Sequence, residues 1–93
     1  MSVSIRVYEK GERIAEDIHE GTEPQPLFDL IDGSYSHLKL KDTACEEAKG
    51  LSVEKNQKYL CVDNGETSGA SAITEYVVEF DAELHRQLTS LIK

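Results

Sequence analysis

The sequence has no tryptophan, one methionine, two prolines and two cysteines, and Phe28, Phe80 and four tyrosines supply all of its aromatic bulk. So few large side chains leave a core to be built from Val, Ile and Leu. Basic residues are also scarce, with 10 Lys and Arg against 18 Asp and Glu for a net charge of −8. That balance excludes the usual basis of non-specific nucleic-acid binding, in which lysine and arginine displace phosphate counterions. It equally disfavours an anionic membrane surface. No apolar run approaches the roughly 18 residues that cross a bilayer, and Met1-Ser-Val-Ser-Ile lacks the basic-then-apolar pattern of a secretory leader. A cytoplasmic location is expected, with Cys45 and Cys61 reduced and packed as small apolar groups, a disulfide between them being geometrically possible but not the expectation. Two cysteines are too few for a four-cysteine metal site, and their spacing is not that of a redox pair.

What is present is patterned. The 93 residues suit a single domain over 1–93, with one modest core. Residues 3–8 alternate, Val3, Ile5 and Val7 pointing one way and Ser4, Arg6 and Tyr8 the other, which predicts a half-buried strand. Glu9-Lys10-Gly11-Glu12 places a glycine where a hairpin needs positive φ, so a returning strand follows over 12–19, with Ile14, Glu16 and Ile18 on one face. Pro24 and Pro26 precede an apolar group closed by Asp32-Gly33, which predicts a short helix over 26–32. Residues 36–41 alternate as a strand with Leu38 and Leu40 inward.

Thr43 and Glu46 have the spacing of a capping box, opening a helix that Gly50 closes, with 51–53 extended after it. Residues 59–62 form a continuous apolar run, as in a central strand. Residues 73–80 read as a further strand, and Asp81 caps a C-terminal helix whose stripe is Leu84, Leu88, Leu91 and Ile92. The expected fold is α+β: a small, mainly antiparallel sheet of an N-terminal hairpin plus about three strands. Two short helices and a C-terminal amphipathic helix pack on one face of it.

Chemistry-bearing motifs are weak. His19, His37 and His85 have neither i, i+4 spacing nor a His-Glu-x-x-His context, so no metal site is expected. Cys45 would open a helix, where the dipole favours a thiolate, but Glu46 and Glu47 oppose a further anion, and Cys61 sits in an apolar run. Counted from Asp63 as a calcium loop, the sixth position is Ser68 and the twelfth Thr74, and the pattern fails. Residues 65–69 lack the lysine and following helix of a phosphate loop. Nothing marks two carboxylates as facing a cleft. No cofactor and no enzymatic activity are expected.

The acidity itself is uneven. Residues 9–32 hold Glu9, Glu12, Glu16, Asp17, Glu20, Glu23, Asp29 and Asp32 against Lys10 and Arg13, so −6 of the net −8 falls within 24 residues. A local acidic face steers a basic partner, although acids on a hairpin edge also protect it from unwanted pairing. In size and charge alone, the chain resembles small acidic bacterial or phage inhibitors, among them immunity proteins that cap nucleases and DNA mimics. That resemblance carries over no residues.

The leading expectation is a non-enzymatic binding protein, of inhibitor or immunity type, that engages a basic protein surface. Glu12, Glu16, Asp17 and Glu20 are its expected electrostatic contacts, with Tyr8 and Tyr35 as aromatic anchors. A self-associating homodimer is the alternative. A small-ligand-binding domain whose 64–71 loop covers a pocket is a further one.

Overall fold

The computed structural model describes residues 1–65 and 73–92. Strand β1 (Ser2–Glu9) turns through Lys10 and Gly11 into β2 (Glu12–Glu20). Both turn residues have positive φ, 51° and 81°, the two-residue turn whose twist matches that of the flanking strands. A bulge at Ile14 shifts the pairing, so that Tyr8 faces Arg13 while Val7 faces Ala15. Helix α1 (Gln25–Ser34) and a 3-10 turn (Ser36–Leu38) lead to the two-residue strand β3 (Lys39–Leu40). Helix α2 (Cys45–Glu54), β4 (Tyr59–Asp63), β5 (Glu75–Glu79) and α3 (Ala82–Ser90) complete the chain. The strands form one antiparallel sheet in the order β2-β1-β4-β5-β3.

Strand alternation gives the sheet two different faces. Val3, Ile5 and Val7 share one face with Leu60, Val62 and Val78, and α1 and α3 cover it with Leu27, Phe28, Ile31, Leu84 and Leu88. Asp81 accepts the Leu84 N–H at 2.9 Å, as its position before the helix predicts. The helices do not all share that face. Helix α2 lies on the opposite one, where Cys45 and Ala48 pack against Tyr59, Cys61 and Val77. Central strand β4 is therefore buried on both sides, which is why its apolar run is unbroken.

Several local expectations are corrected. Helix α1 runs through Gly33 and ends at Tyr35, whose N–H bonds to the Ile31 carbonyl. Residues 36–38 wind as a 3-10 turn, so Leu38 packs on the α1–α3 core and Leu40 on the α2 cluster, rather than both on one face. Helix α2 starts one residue later than its expected box. Ala44 is the cap position, Glu47 accepts the Ala44 N–H at 2.8 Å, and the Thr43 hydroxyl donates to the Lys41 carbonyl. Gly50 does not end the helix, and residues 51–53 are helical rather than extended. Leu51 packs on the α2 cluster and Ser52 is fully buried, and the turn closes instead at Asn56, with φ of 51°.

Ser52 ties this helix to the hairpin: its Oγ accepts the Gly11 N–H at 2.8 Å and donates to the Lys49 carbonyl at 2.6 Å. A Cβ on Gly11 would meet Val53 Cγ2 at 2.8 Å and force a side chain onto φ of 81°. Gly11→Ala is therefore expected to cost about 1–2 kcal/mol in denaturant unfolding. An unchanged midpoint would show that the hairpin tip is not seated on α2.

The largest correction concerns the cysteines. Cys45 and Cys61 form a disulfide across 16 residues, with Cα atoms 5.5 Å apart, and no free thiol remains. Both are buried, as expected, but they are not reduced. Spacing along the chain allowed this bridge but did not favour it. The contact exists because α2 returns over β4 with its first residue directly above the strand's middle. Buried disulfides belong to oxidising surroundings, so the cysteines no longer argue for a reducing compartment. Among the described residues, no helix is long and apolar enough to cross a membrane.

Candidate functional site

Two features outside the packed core could act on another molecule. The first is the outer edge of the sheet. Strand β2 pairs with β1 alone, and Glu12, Glu16, Asp17 and Glu20 are all exposed along it. Register divides them. Glu16 and Glu20, opposite Arg6 and Ser2, project on the α2 side, whereas Asp17, opposite Ile5, projects on the α1–α3 side. The acids therefore line an edge rather than a face. Ile14 and Ile18 stand between them, 50% and 58% exposed.

These carboxylates are not equivalent. Arg6 Nε donates to Glu16 Oε2 at 2.8 Å, and Arg13 Nη1 lies 3.4 Å from the same oxygen. The hydrogen bond from Arg6 holds the Glu16 carboxyl below the usual glutamate range. That contact is present above the ordinary glutamate pKa and is lost as pH falls through the lowered folded value. Asp32, in the same acidic stretch, accepts the Tyr76 hydroxyl at 2.7 Å and lies 3.5 Å from Lys39 Nζ, which itself sits 3.7 Å from the Tyr76 ring centroid. The bond to Asp32 and burial raise the Tyr76 hydroxyl pKa. Asp29 accepts an amide N–H from Gln25 at 2.9 Å. Glu12, Asp17 and Glu20 have no ion pair among the described residues.

The two expected aromatic anchors are half-buried. Tyr8 packs at the rim of the α2 cluster, and Tyr35 packs on the α1–α3 core with its hydroxyl accepting from Gln87 at 3.2 Å. Tyr8 thus stays with the hairpin, and Tyr35 is committed to α3. The three histidines lie on β2, the 3-10 turn and α3, and they do not converge. His19 bonds to Thr22 at 2.5 Å and His37 stacks on Tyr35, while the His85 Nε2 is buried without a hydrogen-bond partner among the described residues.

The second feature lies beside the first residue of α2. The helix covers one end of its face, and the other end is an open groove of about 700 Å³, lined in part by Ser4, Arg6, Ile18, Glu20, Asp63 and Glu75. Arg6 crosses its floor and bonds Asp63 Oδ2 at 2.9 Å as well as Glu16. The attraction of both carboxylates outweighs partial desolvation and raises the Arg6 pKa. The second Asp63 oxygen accepts the Gly65 N–H at 2.7 Å. Gly65 has φ of 72°, and a Cβ there would overlap Ser2 Oγ. The loop expected to cover a ligand pocket, 64–71, falls mainly outside the described residues.

Beside this groove, Cys45 Sγ, Cys61 Sγ and an Asp63 carboxylate oxygen lie within 4.8 Å of one another. Cys61 and Asp63 are two apart on β4 and share a face, and Cys45 arrives as the first residue of α2. The sequence held half of this grouping, in the strand alternation that puts positions 61 and 63 together. The chain matches no protein family, no curated protein and no solved structure.

Proposed function

We propose that this is a non-enzymatic binding protein, of inhibitor or immunity type, whose acidic β2 edge engages a basic protein surface. The observation that carries the reading is that β2, nine residues long, is an edge strand whose exposed Glu12, Asp17 and Glu20 have no ion pair among the described residues. A free edge offers backbone donors and acceptors to an added strand, and its side chains select the charge of what is added. Basic partners are favoured. A second copy pairing along the same edge would bring like charges together, which disfavours the homodimer.

On this reading the contacts are Glu12, Asp17 and Glu20, a choice supported by the bond that ties Glu16 to Arg6. The test is Asp17→Lys with Glu20→Lys, because neither side chain supports the fold through an ion pair among the described residues. Proteins captured from the native extract at low salt are compared between the wild type and this variant. A basic protein bound by the wild type and released by salt is expected to associate about tenfold more slowly with the variant. Unchanged association would remove the acidic edge as the docking site. A stable dimer of the wild type in sedimentation would favour self-assembly instead.

A further inference from the structure

We propose that the dithiol form of this protein holds a thiophilic divalent cation of the zinc class, with Cys45, Cys61 and Asp63 as its ligands. The three donor atoms already lie within 4.8 Å of one another, and the three residues are 7%, 0% and 7% exposed. Two zinc–sulfur bonds of about 2.3 Å place tetrahedral sulfurs roughly 3.8 Å apart. Cα atoms 5.5 Å apart allow that spacing by side-chain rotation alone. A fourth donor is close at hand. Glu75 faces Asp63 across β4 and β5, and its Oε1 accepts the Cys45 N–H at 3.3 Å.

The surroundings suit the charge. Cys45 opens α2, where the helix dipole favours a thiolate against the like charge of Glu46 and Glu47, and a bound dication offsets that charge as well. Two thiolates and a carboxylate bring three negative charges against two on the cation, and the Arg6 guanidinium on Asp63 offsets the remainder. Arg6 and the Gly65 N–H each bond one Asp63 oxygen, which fixes the carboxylate as outer partners fix metal ligands elsewhere. Two sulfurs with one or two oxygens select zinc, cadmium or cobalt over magnesium or calcium.

The chemistry balances in two steps. A dithiol reductant gives two electrons and two protons to the disulfide, which opens to two thiols as the reductant closes its own disulfide. The cation then displaces both thiol protons to solvent. The same sulfurs cannot be joined to each other and also bind metal in this way, so redox state decides which form exists. Neither Asp17 nor Glu20 takes part, and the inference stands apart from the acidic edge.

The test is cobalt(II) titration of the phosphine-reduced protein without oxygen, followed by absorption and circular dichroism. Thiolate-to-cobalt charge transfer and tetrahedral visible bands are expected at one equivalent, displaced by zinc, and absent from the oxidised protein. Asp63→Asn should weaken binding more than about tenfold, and Glu54→Gln, exposed at the far end of α2, should leave it unchanged. Reduced wild type lacking these bands, folded or unfolded, overturns the site, as does cobalt binding of this kind by the oxidised protein. If Asp63→Asn unfolds, Asp63→Ser is read in its place, and cobalt spectra and affinity identical to wild type in whichever variant is read overturn the carboxylate's role.

Discussion

Opening the Cys45–Cys61 crosslink is expected to lower stability by about 3 kcal/mol, the chain-entropy value for a loop of this size. The bridge spans 16 positions and encloses the whole of α2, so reduction returns that helix and its two connections to the unfolded ensemble unconstrained. For a domain of this length the midpoint of thermal unfolding should fall by roughly 12–24 °C. Urea unfolding of oxidised protein, reduced protein and the double variant Cys45→Ala, Cys61→Ala separates the causes. The reduced protein keeps its buried sulfurs and loses only the bond. The variant also loses packing at Cys61, which is wholly enclosed between β4 and α2. Equal midpoints for oxidised and reduced protein would show that the crosslink constrains nothing the fold does not already hold. Zinc is then expected to restore part of the loss in the reduced wild type, and none in the double variant.

Leu60→Ala is expected to cost about 2–5 kcal/mol. Leu60 sits on the central strand, wholly buried, beneath the layer that α1 and α3 form. Its neighbours in register, Val7 and Val78, are held by backbone pairing on either side. The strands cannot close in to fill the space, and the vacated volume remains a cavity. A core of so few large side chains has little reserve, and a loss of this size approaches the lower bound of ordinary domain stability. Ile18→Ala, on exposed β2, should stay within about 0.5 kcal/mol in the same urea titration. If the two substitutions cost the same, the sheet's α1–α3 face would not be the main core.

What the sequence revealed follows from the range of the forces involved. The hairpin at Lys10-Gly11, the unbroken run of β4 and the Asp81 cap are local effects, and each stands within a residue or two of its expected place. The failures are cases where packing overrides a local signal. Gly50 reads as a stop, yet burial of Ser52 and its bond to the hairpin carry the helix four residues further. Alternation at Leu38 and Leu40 reads as a strand, yet each leucine finds a different core cluster. The disulfide and the nearby Asp63 depend on how α2 crosses the sheet, which no spacing of Cys45 from Cys61 encodes. The acidic stretch was visible as composition. Its division into Glu16 and Asp32, which are paired, and Glu12, Asp17 and Glu20, which have no ion pair among the described residues, needed three dimensions, because the pairing groups Arg6, Lys39 and Tyr76 come from other elements.

The two edges of the sheet are unlike. β2 presents nine residues, whereas β3 presents two, Lys39 and Leu40. A strand added along β2 would find a full-length template, and among the described residues nothing of comparable length waits on the far side for another molecule to join. Growth by edge pairing therefore ends after one addition. If β2 takes a partner strand as proposed, the complex to look for is a one-to-one pair of fixed mass rather than a filament or a ladder of higher species.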